Sequence, residues 1–185
     1  GMAAGVIASK KFDINKICFK DKMIEIYKDE RLIDIALIDV VISKNLYVGS
    51  KAIWNVDDIL KIIVSKAHPA SIGFSAIVGC RIIVSKNDDF GAIIDLTNNK
   101  NKIIAPVAAG IITTIHMGDV DIINLNNQYE FTSKEAGTIA LDGEREITFK
   151  SGERFTFKIT RNGPLRVDII NTLELAQKSG FFKID

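Results

Sequence analysis

The sequence predicts a mainly β fold, a β-sandwich or a set of layered β-sheets, with two helices near residues 56–67 and 169–179. Two observations lead to this class. From Ser71 to about Thr160, short apolar segments alternate with turn-forming residues at close and fairly even spacing, which is typical of antiparallel sandwiches. Ile often follows Ile or Val, and β-branched residues favour strands.

The strands are predicted in chain order from these apolar segments. In the first part of the chain, two short strands are predicted at residues 17–19 and 23–27. A long apolar stretch at 32–42, interrupted by Asp34 and Asp39, is predicted to hold a central strand, and residues 46–48 are strand-like. The later part contains ten candidate strands, at residues 75–78, 81–84, 92–95, 102–105, 111–115, 121–125, 129–132, 138–141, 146–149 and 154–160.

The two helices are predicted from apolar residues at spacings of three and four. The first set is Val56, Ile59, Leu60, Ile63, Val64 and Ala67, which lies between Asn55 as N-cap and Pro69 as terminator. The second set is Ile169, Ile170, Leu173, Leu175 and Ala176, which is followed by Gly180, a favourable residue just beyond a helix.

Composition limits the organisation and the partners of the chain. A length of 185 residues and the absence of a linker predict a flexible lead-in over residues 1–12 and one β domain over residues 13–185. The net charge of +1 argues against nucleic acid as a partner. No apolar run reaches the roughly 18–20 residues of a membrane span, so we expect no membrane and a cytoplasmic location. Cys18, Cys80, His68 and His116 have no ligand-spaced neighbours, which predicts no metal site.

Four segments, in order, resemble the acetoin-catabolism protein X branch of the ATP-NAD kinase family. The segment Ala-Leu-Ile-Asp-Val-Val at 36–41 is similar to the family's motif Leu-Asn-(Asp/Glu)-Val. The segment Val-Gly-Ser-Lys-Ala-Ile-Trp at 48–54 is similar to the branch's motif Gly-(Ser/Ala)-(Arg/Lys)-Ala-x-Trp. Ile-Gly-Phe-Ser-Ala-Ile at 72–77 resembles the Gly-Ser-Thr-Ala turn. The fourth segment, at 137–146 and 161–168, begins Gly-Thr-Ile-Ala-Leu-Asp-Gly-Glu and resembles the end of the domain.

This resemblance implies the C-terminal β domain of the NAD kinase and diacylglycerol kinase superfamily. In such enzymes an N-terminal α/β domain supplies a Gly-Gly-Asp-Gly motif, and the active site lies between the domains. The present sequence has neither that motif nor a Walker-type loop. Phosphoryl transfer depends on such groups for positioning and charge neutralisation, so catalysis by this chain alone is not expected.

Asp142, Gly143 and Glu144 form the sharpest candidate site. In bacterial lipid kinases of the superfamily, a similar Asp-Gly-Glu contributes catalytic or metal-linked carboxylates. The analogy implies that Glu144 acts as a base and that Asp142 orients it or binds a metal through water. The alternative is a type I′ hairpin turn, for which Asp-Gly is a strong signal.

Two further segments supply candidate residues for binding a nucleotide or another substrate. Asp39 stands where the family places a carboxylate that contacts the nucleotide, but Ile38 replaces the preceding amide. Gly73, Ser75 and Ala76 suit a backbone cradle for a ribose or a phosphate, because small residues permit close approach. The alternatives are a satisfied structural carboxylate at Asp39 and a turn that enters a core strand at 73–76.

Three hypotheses about function follow. The first is a binding half that supplies a nucleotide or substrate surface and works with a separate Gly-Gly-Asp-Gly α/β protein; NAD(P), or ATP with Mg²⁺, are the ligands that the resemblance implies. The second is a non-catalytic oligomerisation or interaction module, and a homo-oligomer is expected. The third is an ATP-dependent kinase of NAD or of a lipid-like alcohol that uses Asp142 and Glu144.

Overall fold

The computed structural model describes residues 1–45, 56–108 and 110–184. Its helices and strands are, in chain order, α1 (Met2–Ala8), α2 (Ile14–Ile17), β1 (Cys18–Lys20), β2 (Met23–Lys28), β3 (Arg31–Ala36), β4 (Asp39–Ser43), β5 (Ile59–Val64), α3 (Phe74–Gly79), β6 (Phe90–Asp95), β7 (Asn101–Ala108), β8 (Ile111–Met117), β9 (Val120–Asn124), β10 (Gln128–Thr132), β11 (Gly137–Leu141), β12 (Arg145–Phe149), β13 (Arg154–Thr160), β14 (Leu165–Val167) and α4 (Ile169–Lys178). The predicted strand at 46–48 and the motif at 48–54 lie outside the described residues. The described part of the chain is mainly β, which confirms the predicted class.

The described residues form two compact units, Gly1–Asp21 with Asn162–Asp185 and Lys22–Arg161. In the first unit, β1 pairs antiparallel with β14, and α1 packs against α4. The Asp168 side chain caps α4 by accepting a hydrogen bond from the backbone N–H of Asn171 at 3.1 Å, and Gly180 follows the helix with φ 75°. The helix predicted at 169–179 is therefore confirmed. The predicted limits of the lead-in and of the β domain remain a prediction.

The second unit contains two large antiparallel sheets with a core between them. One sheet has the strand order β10-β13-β2-β3, and the other has the order β12-β11-β4-β5-β6-β9. Phe155 and Phe157 from the first sheet and Ile42, Ile63 and Leu141 from the second are fully buried in one apolar cluster. Burying these side chains supplies the main driving force for joining the sheets.

The six-stranded sheet is also buried on its other face. There Ile62, Val64 and Ile94 pack in a second cluster with Ile77 of α3 and Met117 of β8. The two-stranded sheet β7–β8 and α3 thus cover the face that points away from the first core. In a sheet that is buried on both faces, the sequence of each strand is a continuous apolar run without alternation of apolar and polar residues.

The helix predicted at 56–67 is wrong. Only Val56–Asp58 is helical there, as one 3-10 turn, and β5 (Ile59–Val64) follows it between β4 and β6. The spacings of three and four arose because neighbouring residues of β5 enter different cores: Ile63 faces the four-stranded sheet, whereas Ile62 and Val64 face α3.

Three strand predictions also need correction. Residues 75–78 belong to helix α3 (Phe74–Gly79), and residues 81–84 contain no strand beyond a single bridge between Val84 and Ala67. The stretch at 32–42 is two strands, β3 and β4, which belong to different sheets and are separated by Leu37 and Ile38. Within the described part of the chain, no helix combines the length and the apolar character that crossing a membrane needs.

Candidate functional site

The connection between β3 and β4 is a short bend that carries Leu37 and Ile38 and ends at Asp39. Ser65, which directly follows β5, binds the carbonyl groups of this bend. Its backbone N–H donates to the Ile38 carbonyl oxygen at 2.9 Å, and its hydroxyl donates to the Leu37 carbonyl oxygen at 2.6 Å. Ser65 is fully buried, so these bonds satisfy polar groups that water cannot reach.

Asp142 and Gly143 form the tight turn between β11 and β12. Their φ angles are 51° and 71°, and the Glu144 N–H donates to the Leu141 carbonyl oxygen at 3.0 Å. Positive φ at both central residues is what a type I′ turn requires, and Asp and Gly tolerate it well. Since β11 lies beside β4, this turn is adjacent to the start of β4.

The Asp142 carboxylate binds the backbone N–H groups of the β3–β4 bend. Leu37 donates to Oδ2 at 2.7 Å, and Ile38 and Asp39 donate to Oδ1 at 2.7 Å and 3.1 Å. The Asp142 N–H in turn donates to the Asp39 carbonyl oxygen at 3.0 Å. Successive N–H groups that converge in this way are a binding site for an anion, and here a carboxylate of the same chain occupies it. Asp142 therefore acts within the fold as a clamp on the bend.

The Asp39 carboxyl group has a different environment. It is nearly buried, with 8% of the residue exposed, and it lies close to Asp142. Burial, and next the negative charge of Asp142, raise the pKa of the Asp39 carboxyl from 3.8 to about 6. A hydrogen bond from the Ser75 backbone N–H partly opposes this rise in pKa. Asp39 can therefore change its protonation state near neutral pH.

The turn at 73–76 supplies that N–H group. Gly73 precedes α3 with φ 76° and ψ −151°, a conformation that is open to glycine but strained for other residues. Ser75 and Ala76 are buried in the first turn of α3, and the Ser75 hydroxyl donates to the Ile72 carbonyl oxygen at 3.3 Å. The turn thus brings a backbone donor to Asp39, as a cradle would, while its side chains remain inside the fold.

Glu144 is not brought into this cluster. It is exposed in the hairpin turn, and no hydrogen bond to its side chain is found among the described residues. The neighbouring Arg145 instead links the hairpin to β3, through an ion pair with Asp34 at 2.6 Å and a hydrogen bond to the Ile35 carbonyl oxygen at 2.6 Å. The geometry thus joins Asp39, Ser75 and Asp142, and it leaves Glu144 at the surface.

A protein-ligated metal does not fit these residues. Within residues 1–45, 56–108 and 110–184, no group of three or more His, Cys, Asp or Glu side chains is arranged to hold a metal ion. Both oxygens of Asp142 already accept N–H groups. Any Mg²⁺ here would have to arrive with a ligand that carries its own oxygen donors.

Residues 22–162 match the family model described as the acetoin catabolism protein X C-terminal domain. The chain belongs to this family. The matched residues coincide closely with the compact unit Lys22–Arg161, so the family domain is the two-sheet unit that carries Asp39, Ser75 and Asp142.

A curated relative is longer than the part of it that aligns with this chain. The chain is 30% identical over 139 residues to acetoin catabolism protein X of Cupriavidus necator, which covers 74% of the chain and 38% of the relative. The chain therefore spans about two-fifths of the length of the curated relative that it matches.

Asp39, Ser75 and Asp142 were predicted from the sequence, whereas Ser65 and the backbone of Leu37 were not. Ser65 carries one usable signal, since it is a small polar residue that ends the otherwise apolar segment of β5. The N–H groups of the bend carry no signal, because every residue except proline has one.

Proposed function

We propose that this family domain supplies a nucleotide- or substrate-binding surface, and that phosphoryl transfer requires a separate α/β domain with a Gly-Gly-Asp-Gly motif. The proposal includes membership of the ATP-NAD kinase superfamily, on the motif resemblance at 36–41, 72–77 and 137–146. NAD(P), or ATP with Mg²⁺, are the proposed ligands.

One observation carries the proposal: three segments far apart in sequence meet at Asp39. The Asp39 carboxyl group accepts the Ser75 N–H of the turn at 73–76 and lies close to Asp142, and its pKa is raised to about 6. A carboxylate can accept hydrogen bonds from ribose hydroxyls, and the small residues of the turn allow a ligand to approach the backbone. A carboxyl group whose pKa is perturbed both by burial and by a specific neighbouring charge is a candidate functional group, which supports a role for Asp39 in binding.

The share of the relative that the chain covers supports the need for a second domain. The remaining three-fifths of the relative has no counterpart in this alignment. The present chain carries no phosphate-cradling glycine motif. We expect no transfer of phosphate from ATP to NAD by this chain alone, and transfer when a Gly-Gly-Asp-Gly α/β protein is added.

Ligand binding is tested by thermal unfolding of the chain with NAD, NADP and ATP with Mg²⁺, each at millimolar concentration. We expect at least one ligand to raise the unfolding temperature, and Asp39→Asn to remove the shift. Asp121→Asn is the matched control, because Asp121 is exposed on β9. The absence of a shift for every ligand, or an equal shift in Asp39→Asn, would contradict the proposal.

Self-association is a second candidate function, and the β7–β8 sheet favours it. Its inward face packs in the second core, whereas Ile104 and Ile112 on the other face are 72% and 70% exposed. Ile112 pairs with Pro106, which lies two positions from Ile104 on β7, so Ile104, Pro106 and Ile112 form one apolar patch. Exposed apolar patches on a sheet often mark contacts between proteins. Light scattering should show a dimer or larger oligomer that Ile104→Lys dissociates, and a monomeric native chain would contradict this function.

A further inference from the structure

A cavity lies away from Asp39, at the open end of the space between the two sheets. It has a volume of about 430 Å³, and residues of β5, β6, β10 and the loop after β10 line it. Pockets of this size accommodate small organic ligands. None of the predicted site residues lines this cavity.

A half-buried ion pair forms one wall of the cavity. Lys61 of β5 and Asp95 of β6 are directly opposed across the two strands, and their side chains form an ion pair while only 18% and 35% exposed. Two residues further along these strands, Ile63 and Ile93 are buried in the core between the sheets. Lys61 and Asp95 therefore project into the same interlayer space, at the end where it opens.

Hydrogen bonds hold both partners of this pair in place. The Lys61 ammonium binds one Asp95 oxygen, and the other Asp95 oxygen accepts the Thr97 N–H at 2.8 Å and the Thr97 hydroxyl at 2.5 Å. Burial alone would lower the pKa of Lys61 and raise that of Asp95. The bond between the two groups, helped by Tyr129 beside Lys61 and by Thr97 at Asp95, outweighs burial, so the pKa of Lys61 is raised and that of Asp95 is lowered. Both groups are charged at neutral pH.

The charges around the cavity indicate which ligands it excludes. Lys61 and Lys134 are positive, and Asp95, Glu130 and Glu135 are negative, which leaves one net negative charge. A phosphate or carboxylate ligand would be repelled. The ion pair itself adds little to stability, since an apolar pair can replace such a pair at little cost.

We propose that this cavity binds a small neutral polyol, such as a pentose, a hexose or a cyclitol. A lysine ammonium has three N–H groups, and Asp95 engages one of those of Lys61 in the cavity wall, so ligand hydroxyls can accept the others. The Tyr129 hydroxyl and the Asp95 carboxylate supply the acceptors that neighbouring ligand hydroxyls need. The site is independent of the Asp39 cluster and of the function proposed for it.

The test is a titration of the chain with D-ribose and myo-inositol, followed by the amide resonances of Thr97, Tyr129 and Lys134. D-Ribose 5-phosphate is the matched anionic probe. We expect saturable shifts at these amides with at least one neutral probe at millimolar concentration, and no comparable shift with the phosphate. No shift with either polyol, or equal or tighter binding of the phosphate, would overturn the proposal.

Variants identify the groups that bind the ligand. Tyr129→Phe and Lys61→Met should each weaken polyol binding about tenfold, as the loss of one hydrogen bond predicts. Lys28→Met is the matched control, because Lys28 forms an ion pair with Glu153 at 2.9 Å outside this cavity. Tyr129→Phe keeps the ring, so it decides the outcome if Lys61→Met does not fold. Unchanged binding in Tyr129→Phe would contradict the proposal, whereas Asp39→Asn should leave polyol binding unchanged.

Discussion

Asp142 and Asp39 lie at the same end of the six-stranded sheet, but their carboxyl groups have different partners. Asp142 accepts three backbone N–H groups of the neighbouring bend, whereas Asp39 is nearly buried, receives the Ser75 N–H and has its pKa raised to about 6. The two carboxylates therefore have different roles. Asp142 fixes the backbone that carries Asp39, and Asp39 is the group whose charge a ligand can change.

The largest expected effect is on stability, from Asp142→Ala. The change removes the acceptor of three N–H groups and places alanine at φ 51°, so the free energy of unfolding should fall by about 3 kcal/mol. Urea unfolding measures it. Asp121→Ala on the exposed part of β9 is the control and should change stability by less than about 0.5 kcal/mol. An equally small effect of both substitutions would contradict the role of Asp142 as a clamp on the bend.

Asp39→Asn should change how stability depends on pH. Because the folded-state pKa of Asp39 is raised to about 6, its contribution favours the folded state below about pH 4 and is lost as pH rises through about 6. Asparagine removes this dependence. The variant should therefore gain on the order of 2–3 kcal/mol relative to the native chain between about pH 4 and pH 7.5. Unfolding curves at the two pH values measure the gain. If the free energy of unfolding of the two proteins changes equally between these pH values, the pKa of Asp39 is not raised.

The sequence predicted the class of this fold, but it assigned β5 and α3 to the wrong states. In β5, Ile62, Ile63 and Val64 are all buried because both faces of the sheet are covered. Alternation, the usual signal of a strand, is therefore absent. In α3 the residues Ser75 to Val78 are also all buried, and six residues are too few for a helical period to appear. Both errors have the same cause, which is burial by elements distant in sequence.

The candidate site could be predicted only in part, because its contacts also join segments that are distant in sequence. Motif resemblance named Asp39, Ser75 and Asp142, and the Asp-Gly signal correctly placed a tight turn at 142–143. The clamp itself could not be predicted, since it joins a side chain to backbone N–H groups about a hundred positions away. Such bonds depend on how β11 pairs with β4, which local sequence does not encode.

Gly73→Ala tests the other side of Asp39. The added Cβ has open space, so the expected loss of about 1–2 kcal/mol comes from the backbone conformation at φ 76° and ψ −151°. The pKa of Asp39 should also rise further if the Ser75 N–H moves away. Gly5→Ala is the control, because its Cβ also meets open space and its φ is not positive. Equal stability of the two variants would show that the turn tolerates a side chain.

Glu144→Gln should have the smallest effect. Glu144 is exposed and lies outside the cluster, so stability should change by less than about 0.5 kcal/mol and ligand-induced thermal shifts should be unchanged. Loss of those shifts, or loss of phosphoryl transfer in the presence of an added α/β domain, would restore Glu144 as a functional residue and would place the chemistry in the hairpin turn.

The most direct test of the account is a carboxyl-carbon NMR titration of Asp39 in the native chain and in Asp142→Asn. We expect a pKa of about 6 for Asp39 in the native chain, and a lower value in the variant, because the charge of Asp142 contributes to the rise. An Asp39 that titrates near 4, its ordinary value, in both proteins would contradict the distinction between the two carboxylates.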